Sequence, residues 1–498
     1  MKPTTVHLIA FHLVLAFTQR PLIAVPAFPG AEGFGAETAH ARGRQVFHVT
    51  RLDDEDKGQR VKYLKPGQLR YALAEAEDAG GGYIVFDVSG TIVLKRAAYI
   101  PSNTYVAGQS APGKGIAIEG ESIAIGRRGQ PSEDVLVRHI RYRGRAPRGA
   151  DAFNIEGEGT QNIVLDHVSV SFFRDGAVDI VAGARNVTLQ WSHFGDAYGS
   201  GTSEAYHCEP HLLRSDVDRI SMHHNYYTHA HSRVPTVQET VARDGFLIEF
   251  SNNVVYNFRK YPSAFDAHNG KGNVVGNYYI PGSFTHGDSG GQYRGAVVGS
   301  NGFTVHVRDN RFIGGMGHDD EGAPGTDQDV MRGNDAPVTG SRPDDSYPET
   351  AIMGKMGAIG PTPGVFEYSP TRFAEIPEIT YIPVEENINE VMSKFGAFPR
   401  DNTDRRLLRE LLTRTGEWKL DIPNDGNVYE GTPREDADND GMADAWEAAH
   451  GGNLEPNGHE LDPTYDNIEV WLNEVAADLM REAEPVNAHQ IVTGRGGK

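Results

Sequence analysis

The 498-residue sequence predicts an all-β fold, a parallel β-helix, on three observations. Short β-branched strands split by Gly, Asn and Asp run from about residue 27 to residue 315. An equivalent position recurs through them as His167, His193, Asn225, Asn253, Asn277 and Asn310, at intervals of 26, 32, 28, 24 and 33 residues. Helical periodicity is largely absent over the same stretch. An irregular period in the twenties to thirties is what a solenoid with variable loops gives. The main rival fold is a propeller, but its four-strand blade pattern is not found.

The elements follow in chain order. Lys2 precedes an apolar run from about Val6 to Phe17, with small residues near Ala24 and Ala27. Residues 1–26 read as a secretory signal peptide, and a frayed N-terminal helix is the alternative. Residues 27–330 are expected to form the solenoid, with one short helical stretch near "GQLRYALAEAED". Asn225, Asn253, Asn277 and Asn310 suit corners, where Asn adopts the left-handed conformation and bonds to the next rung. Residues 331–425 are read as an extension that includes most of a polar loop over 316–350 and carries two helical patterns, "VEENINEVMSKFGAF" and "DNTDRRLLRELLTRTGEW". Residues 426–480 hold an acidic loop, and 481–498 lack periodicity and read as disordered.

Bulk properties narrow the function. A net charge of -21 disfavours nucleic-acid and anionic-membrane partners. No later apolar run approaches the ~20 residues of a membrane span. One cysteine, Cys208, rules out an internal disulfide. A soluble, exported monomer is expected.

Two acidic constellations carry chemistry. Asp436, Asp438, Asp440, Gly441, Asp444 and Glu447 fall at positions 1, 3, 5, 6, 9 and 12 of an EF-hand-type calcium loop, with the Met442 carbonyl at position 7. The alternative is an acidic solvated loop. The second constellation is Asp151 in "GADAFNI" with Asp175 and Asp179 in "RDGAVDI". Rungs only ~4.8 Å apart would stack these on one face, where carboxylates suit a hard cation such as Ca2+. An exposed acidic strand edge is the plainer reading. Arg233, in "HSRVPTV", could contact an anionic sugar or take a proton from it.

The basic run "RHIRYRGRAPR" places Arg141, Arg143 and Arg145 on one strand face. It could bind an anionic chain or pair with the abundant acids. Histidines 207, 211, 223, 224, 229 and 231 suggest a transition-metal cluster or, alternatively, stacked and hydrogen-bonded rings.

The stretches "AFPGAEGFGAET", "PGQLRYAL", "YIVFDVSGTIVL", "VLVRHIRYRG", "VLDHVSVSF", "DGAVDI", "MHHNYYTHAHSRVP", "SNNVVYN" and "NVVGNYYIPG" resemble the pectate lyase family. "NTDRRLLRELLTRTG" and "DADNDGMADAWE" resemble the C-terminal extension of its bacterial members. The resemblance covers about residues 27–475 and implies a right-handed parallel β-helix, secretion and calcium-dependent β-elimination on an acidic polysaccharide. It implies a catalytic calcium at Asp151, Asp175 and Asp179 and a proton-abstracting Arg233. The family's second arginine and its substrate-binding lysine have no counterpart: Gln238 stands at the first position, and "EAYHCEPHLLRS" spans the second. His207 or His211, together with Arg143, would then contact substrate. A β-helix hydrolase with paired carboxylates and a non-catalytic glycan-binding protein are the alternative classes.

Overall fold

The computed structural model describes residues 25–144, 150–198, 209–239, 245–258, 262–283, 285, 297–300, 303–312, 353–355, 367–417, 421–481 and 483–489. Residues 1–24 of the expected signal peptide, the polar loop over 316–350 and residues 490–498 lie outside the described residues. Residues 483–489 of the tail expected to be disordered pack on the rest, with Ala488 buried and the Val486 amide donating to Ser393 Oγ at 3.0 Å. Among the described residues, strands sort into three sheets of eleven, nine and nine, and every strand-to-strand pairing is parallel. Each strand pairs with its counterpart one turn away, as Val178–Val181 does with Phe153–Glu156 and Leu212–Arg214. This is a parallel β-helix, and antiparallel propeller blades are excluded.

Alternation decides which side chains enter the helix. Val178, Ile180, Leu213, Val237 and Phe265 point into one continuous apolar core. Their neighbours Asp179, Leu212, Arg214, Thr236 and Gln238 therefore face out of the same sheet. Helix α1 (Leu69–Ala79) covers the first turns, with Leu69, Ala72, Leu73 and Ala76 buried against that core.

The asparagines form the expected ladder from turn to turn, but they do not take the left-handed conformation: that falls on the residue before each, His224, Asn252, Gly276 and Asp309. Asn225 Oδ1 accepts from the Ser192 backbone, Asn253 Oδ1 from Asn225, Asn277 Oδ1 from Asn253 and Asn310 Oδ1 from Asn277, at 2.9–3.0 Å. The two histidines traced as earlier members are each one residue off. Ser192 and Val168 hold the equivalent positions, because the Val168 amide donates to Ser192 Oγ. His167 sits instead at a left-handed corner, φ 50°. The histidine pattern misled because a corner and the strand after it are both polar there.

The β-helix also runs past residue 330. Met353–Lys355 pairs with Val297–Ser300, and Glu367–Tyr368 with Thr304–Arg308. Beyond it, α2 (Val384–Lys394) and α3 (Asn402–Thr413) occupy the two patterned segments. Their apolar faces pack on Tyr226, Val254, Tyr256, Tyr278 and Ile280, outside the barrel of strands. The chain then returns to the first turns, where α4 (Asp444–Ala449) and α5 (Asn467–Arg481) follow the acidic loop. Met442, Ile468, Trp471 and Leu472 cover Tyr83, Val85, Tyr105 and Leu136.

Candidate functional site

Asp151 and Asp175 stand just before strands of adjacent turns on one sheet, and Arg233 stands before the strand two turns beyond that of Asp175. The Ala152 amide donates to the Gly176 carbonyl at 2.9 Å, and Ala177 and Val178 donate to Pro210 at 3.0 Å. His211 in turn donates to the Arg233 carbonyl at 2.9 Å. Asp179 lies within its strand, in register with Asn154. Arg233 adopts a left-handed corner, φ 60°, just before the Val234–Pro235 cis bond.

Gly176 is the floor of the carboxylate cluster. Its amide donates to Asp151 Oδ1 at 2.8 Å. A Cβ placed on it would meet Asp179 Oδ1 at 2.5 Å and Asp151 Oδ1 at 2.6 Å. The two carboxylates thus converge over a residue that has no side chain. Asp179 Oδ1 also accepts from the Leu212 amide at 3.0 Å. Burial and the charge of Asp175 push the Asp151 carboxyl up to about 6, against the opposing charge of Arg233. Burial and Asp151 raise Asp179 well above the usual carboxylate range. This is negative potential with one guanidinium to offset it, and an all-oxygen donor set suits Ca2+ rather than a soft metal. The chemistry of these residues suits that ion, although the ligand atoms of Asp151, Asp175 and Asp179 do not all lie within 4.8 Å of one another. They form an open cradle rather than a closed shell. Among the described residues, the acidic groups whose ligand atoms all lie within 4.8 Å of one another are in the C-terminal loop.

Glu209, in the turn between the aspartates and Arg233, forms an ion pair with Arg233. Nε lies 2.7 Å from Glu209 Oε2. Ser232 Oγ donates to Glu209 Oε1 at 2.9 Å, and His231 Nδ1 lies 3.4 Å from the same oxygen. Burial would raise the Glu209 carboxyl, but His231, Arg233 and Ser232 hold it below its ordinary value. Glu209 was visible in the sequence and received no role there. The signal lay in the register: Leu212 bonds Asp179 at an offset of 33 residues, and the same offset carries Gly176 to Glu209.

Arg143 and His211 are not where a substrate could reach them. Arg143 is 3% exposed. Its Nε bonds Asp401 and its Nη2 bonds Asp404, each at 2.9 Å. Arg141 is buried beside it and donates to Ile116 and Ala397 carbonyls. The arginine-rich strand therefore anchors α3 instead of lining a groove. His211 is fully buried. Its Nδ1 donates to the Val178 carbonyl at 2.8 Å, and burial pushes its pKa down to about 3. His207 and Arg145 lie outside the described residues. Arg214 is an outward cation on this sheet, exposed and in register with Val181 and Gln238.

The other histidines are stacked or bonded. His224 lies against Trp191 with ring centroids 4.3 Å apart, and His229 bonds Glu410 at 2.8 Å. His139, Asp166 and His167 also approach within 4.8 Å. Asp166 is already committed there to Arg138 at 2.7 Å and Gln190 at 2.9 Å.

In the C-terminal loop, two groups close to within 4.8 Å: Asp436, Asp438 and Asp444, and Asp438, Asp440 and Glu447. Asp436 accepts from the Asp440 and Gly441 amides at 3.1 and 2.9 Å. Gly441, φ 94°, makes the bend. Burial, with the charges of Asp438, Glu447 and Asp436, pushes the Asp440 carboxyl up to about 7, and its Oδ2 is enclosed without a hydrogen-bond partner. That donor set also fits Ca2+.

Fold and face together define a parallel β-helix protein with a carboxylate cradle and an adjacent arginine on one sheet. Over nearly its whole length the chain is similar to proteins named pectate lyases. It is 28% identical over 482 residues to a probable pectate lyase C of Emericella nidulans, covering 94% of this chain and 97% of that one. It is also 28% identical over 475 residues to a probable pectate lyase C of Aspergillus fumigatus, covering 92% and 96%. A solved pectate lyase of Paenibacillus sp. 0602 aligns at 11% identity, TM-score 0.42, covering 74% of this chain and 96% of that one. No family model matches the chain.

Proposed function

We propose that the protein is an exported, calcium-dependent lyase that cleaves a pectate-like polyuronate by β-elimination. The observation that carries this reading is the placement of Arg233 beside the Asp151–Asp179 cradle, with its charge acting on both carboxyls. Relatives that span nearly the same length and are named pectate lyases support it. Calcium, when bound by Asp151, Asp175 and Asp179, supplies Lewis-acid polarisation of a substrate carboxylate. Arg233 stands to take the proton from C5 of the uronate once its guanidinium is neutral, a state that desolvation under substrate and the charge of a bound cation would favour. As that C–H bond breaks, a C4–C5 double bond forms, the C4–O bond opens, and the leaving oxygen takes a proton from water. Arg214 offers a guanidinium to a neighbouring uronate on the same outward face, which an overall charge of -21 makes necessary. The C-terminal loop holds a second, structural calcium through Asp436, Asp438, Asp440, Asp444, Glu447 and the Met442 carbonyl.

The test is turnover of polygalacturonate followed by the near-ultraviolet absorbance of the unsaturated product. Absorbance should rise with calcium and stop with chelator. Arg233→Ala should lower kcat by ~100-fold or more, as loss of a proton-transfer group does. New reducing ends without absorbance, unaffected by chelator, would mark a hydrolase. Retention of the glycan with no product would mark a binding protein.

A further inference from the structure

Alternation along the strands decides what else faces out of the sheet that carries the cradle. Tyr99 shares the outward row of Asp179, through Ala124 and Asn154. A second outward row runs Glu156, Val181, Arg214, Gln238 and Asp266. Past Arg214, towards the last turns, that row is neutral and then acidic. Towards the first turns, two arginines reach onto the face from the turn after Ile123–Ile125. Arg128 Nε lies 3.5 Å from Glu156 Oε1, an ion-pair distance, and its side chain is 83% exposed. The exposed Arg127 holds its guanidinium 5.2 Å from the centre of the Tyr99 ring. Gln130 fixes it there: Oε1 accepts from Arg127 Nε at 2.9 Å and from Nη2, and the two backbones exchange bonds of 2.9 Å. Glu77 accepts from the Gln130 side-chain amide at 2.7 Å. Among the described residues, Arg127 Nη1 has no partner. More positive charge follows at the edge strand Ala98–Ile100. The Gln59 side chain brackets the Tyr99 backbone, donating to its carbonyl at 2.6 Å and accepting from its amide at 2.8 Å. The exposed Lys57 and Arg60 flank Gln59 in the chain.

We propose that Arg127 and Arg128 are a distal subsite for a uronate carboxylate, so that a polyuronate engaged at the cradle extends over the first turns of the β-helix. The kinetic part of this proposal rests on the lyase reading; the binding does not. The strand before Arg127 lies two turns from that of Asp179, roughly 10 Å at ~4.8 Å per turn, a span for a glycan chain rather than one sugar. A guanidinium held along one edge by Gln130 and laid beside a ring has little rotamer freedom left to lose on binding. Its open edge matches a carboxylate. In a chain of net charge -21, local cations decide where a polyanion settles. Gln238 and Asp266, on the other side of Arg214, offer none.

Two measurements on the full chain test it. The first is retardation in gels that contain polygalacturonate and calcium, on an Arg233→Ala background that leaves the polymer intact. Adding Arg127→Ala with Arg128→Ala should weaken retention by ~5- to 20-fold. Arg185→Ala with Arg219→Ala takes the same two charges from a different sheet and should leave retention unchanged. The second is turnover without the Arg233 substitution. There the Arg127/Arg128 pair should raise KM for polygalacturonate by a similar factor with kcat within about 3-fold, and the penalty should grow with chain length from trigalacturonate upward. Unchanged melting would separate lost binding from unfolding, and if the alanine pair does not fold, Arg127→Gln with Arg128→Gln carries the comparison. Retention that ignores the pair, or that falls as far when the other sheet is changed, overturns the proposal. So does a KM penalty equal for every chain length. A protein without Arg233→Ala that makes no unsaturated product, while retention still depends on Arg127 and Arg128, sinks the lyase reading and supports the subsite.

Discussion

Gly176 has no functional group, yet it shapes the cradle more than any ligand beside it. Two carboxylate oxygens occupy the space around its missing Cβ. Alanine is compatible with the backbone there, because Gly176 is not among the glycines with positive φ. Gly176→Ala should therefore fold and still lose calcium affinity at this site by about 10-fold or more, since it moves the groups that orient ligands. Calorimetric titration of the variant checks this; an affinity equal to that of the wild type would show that the ion, if it binds, sits elsewhere. At this scale the sequence was legible where turn-to-turn stacking alone decides placement, as in bringing the carboxylates of Asp151 and Asp179 together over Gly176. It was not legible for His211. Alternation from the inward Leu213 makes residue 211 inward too, but the strand is three residues long, too short to show a period by itself. Glu209 needed the turn-to-turn register, which variable loop lengths hide from a single sequence.

At the scale of elements, the helical extension is bolted to the solenoid by buried charge. Asp401 caps α3 by accepting from the Asp404 amide at 2.9 Å. Arg143 then binds both Asp401 and Asp404 from across the interface. Ser169 Oγ adds a bond to Asp404 at 2.8 Å. Arg143→Met would keep the apolar stem and remove the cation, leaving two buried carboxylates with Arg141 nearby. Breaking one partner of a buried pair costs ~3–5 kcal/mol. The expected result is a stability loss of that order in urea titration, with KM for polygalacturonate little changed. A raised KM at unchanged stability would return Arg143 to the substrate. The partners stand 258 residues apart in sequence, so no local pattern could pair them. The Asn ladder was readable for the opposite reason: one residue type repeats turn after turn and bonds its counterpart in the next. The same regularity let α1, α2 and α3 be placed from their apolar spacing alone.

Over the whole molecule, stacking turns this tightly forces histidines into dry surroundings. His139, His193 and His224 are driven well below their ordinary range, and His223 is lowered to about 4. Burial is the first cause for each. A histidine that must stay neutral when folded binds fewer protons than it does unfolded. Its contribution is intact above the unfolded value of about 6.5 and is lost as pH falls towards the folded one. The carboxyls of Asp151 and Asp179 act in the opposite sense. They are raised, so their contribution is present at low pH and lost as pH rises through about 6 for Asp151. A raw stability curve therefore mixes two slopes, and a difference between variants is needed to separate them. His211 is the cleanest probe, because burial lowers it to about 3, its one opposing influence is the Val178 carbonyl, and its neighbours are the rings of Phe194 and Tyr227. His211→Leu forfeits the bond to Val178 at every pH and removes the titration. Between pH 6 and pH 4 the wild type should lose stability faster than the variant by up to ~1.4 kcal/mol per pH unit. Above pH 7 the difference between them should be flat. Urea midpoints measured for both proteins at fixed calcium would show this; parallel curves across the acid range would mean that residue 211 takes up its proton without leaving the core.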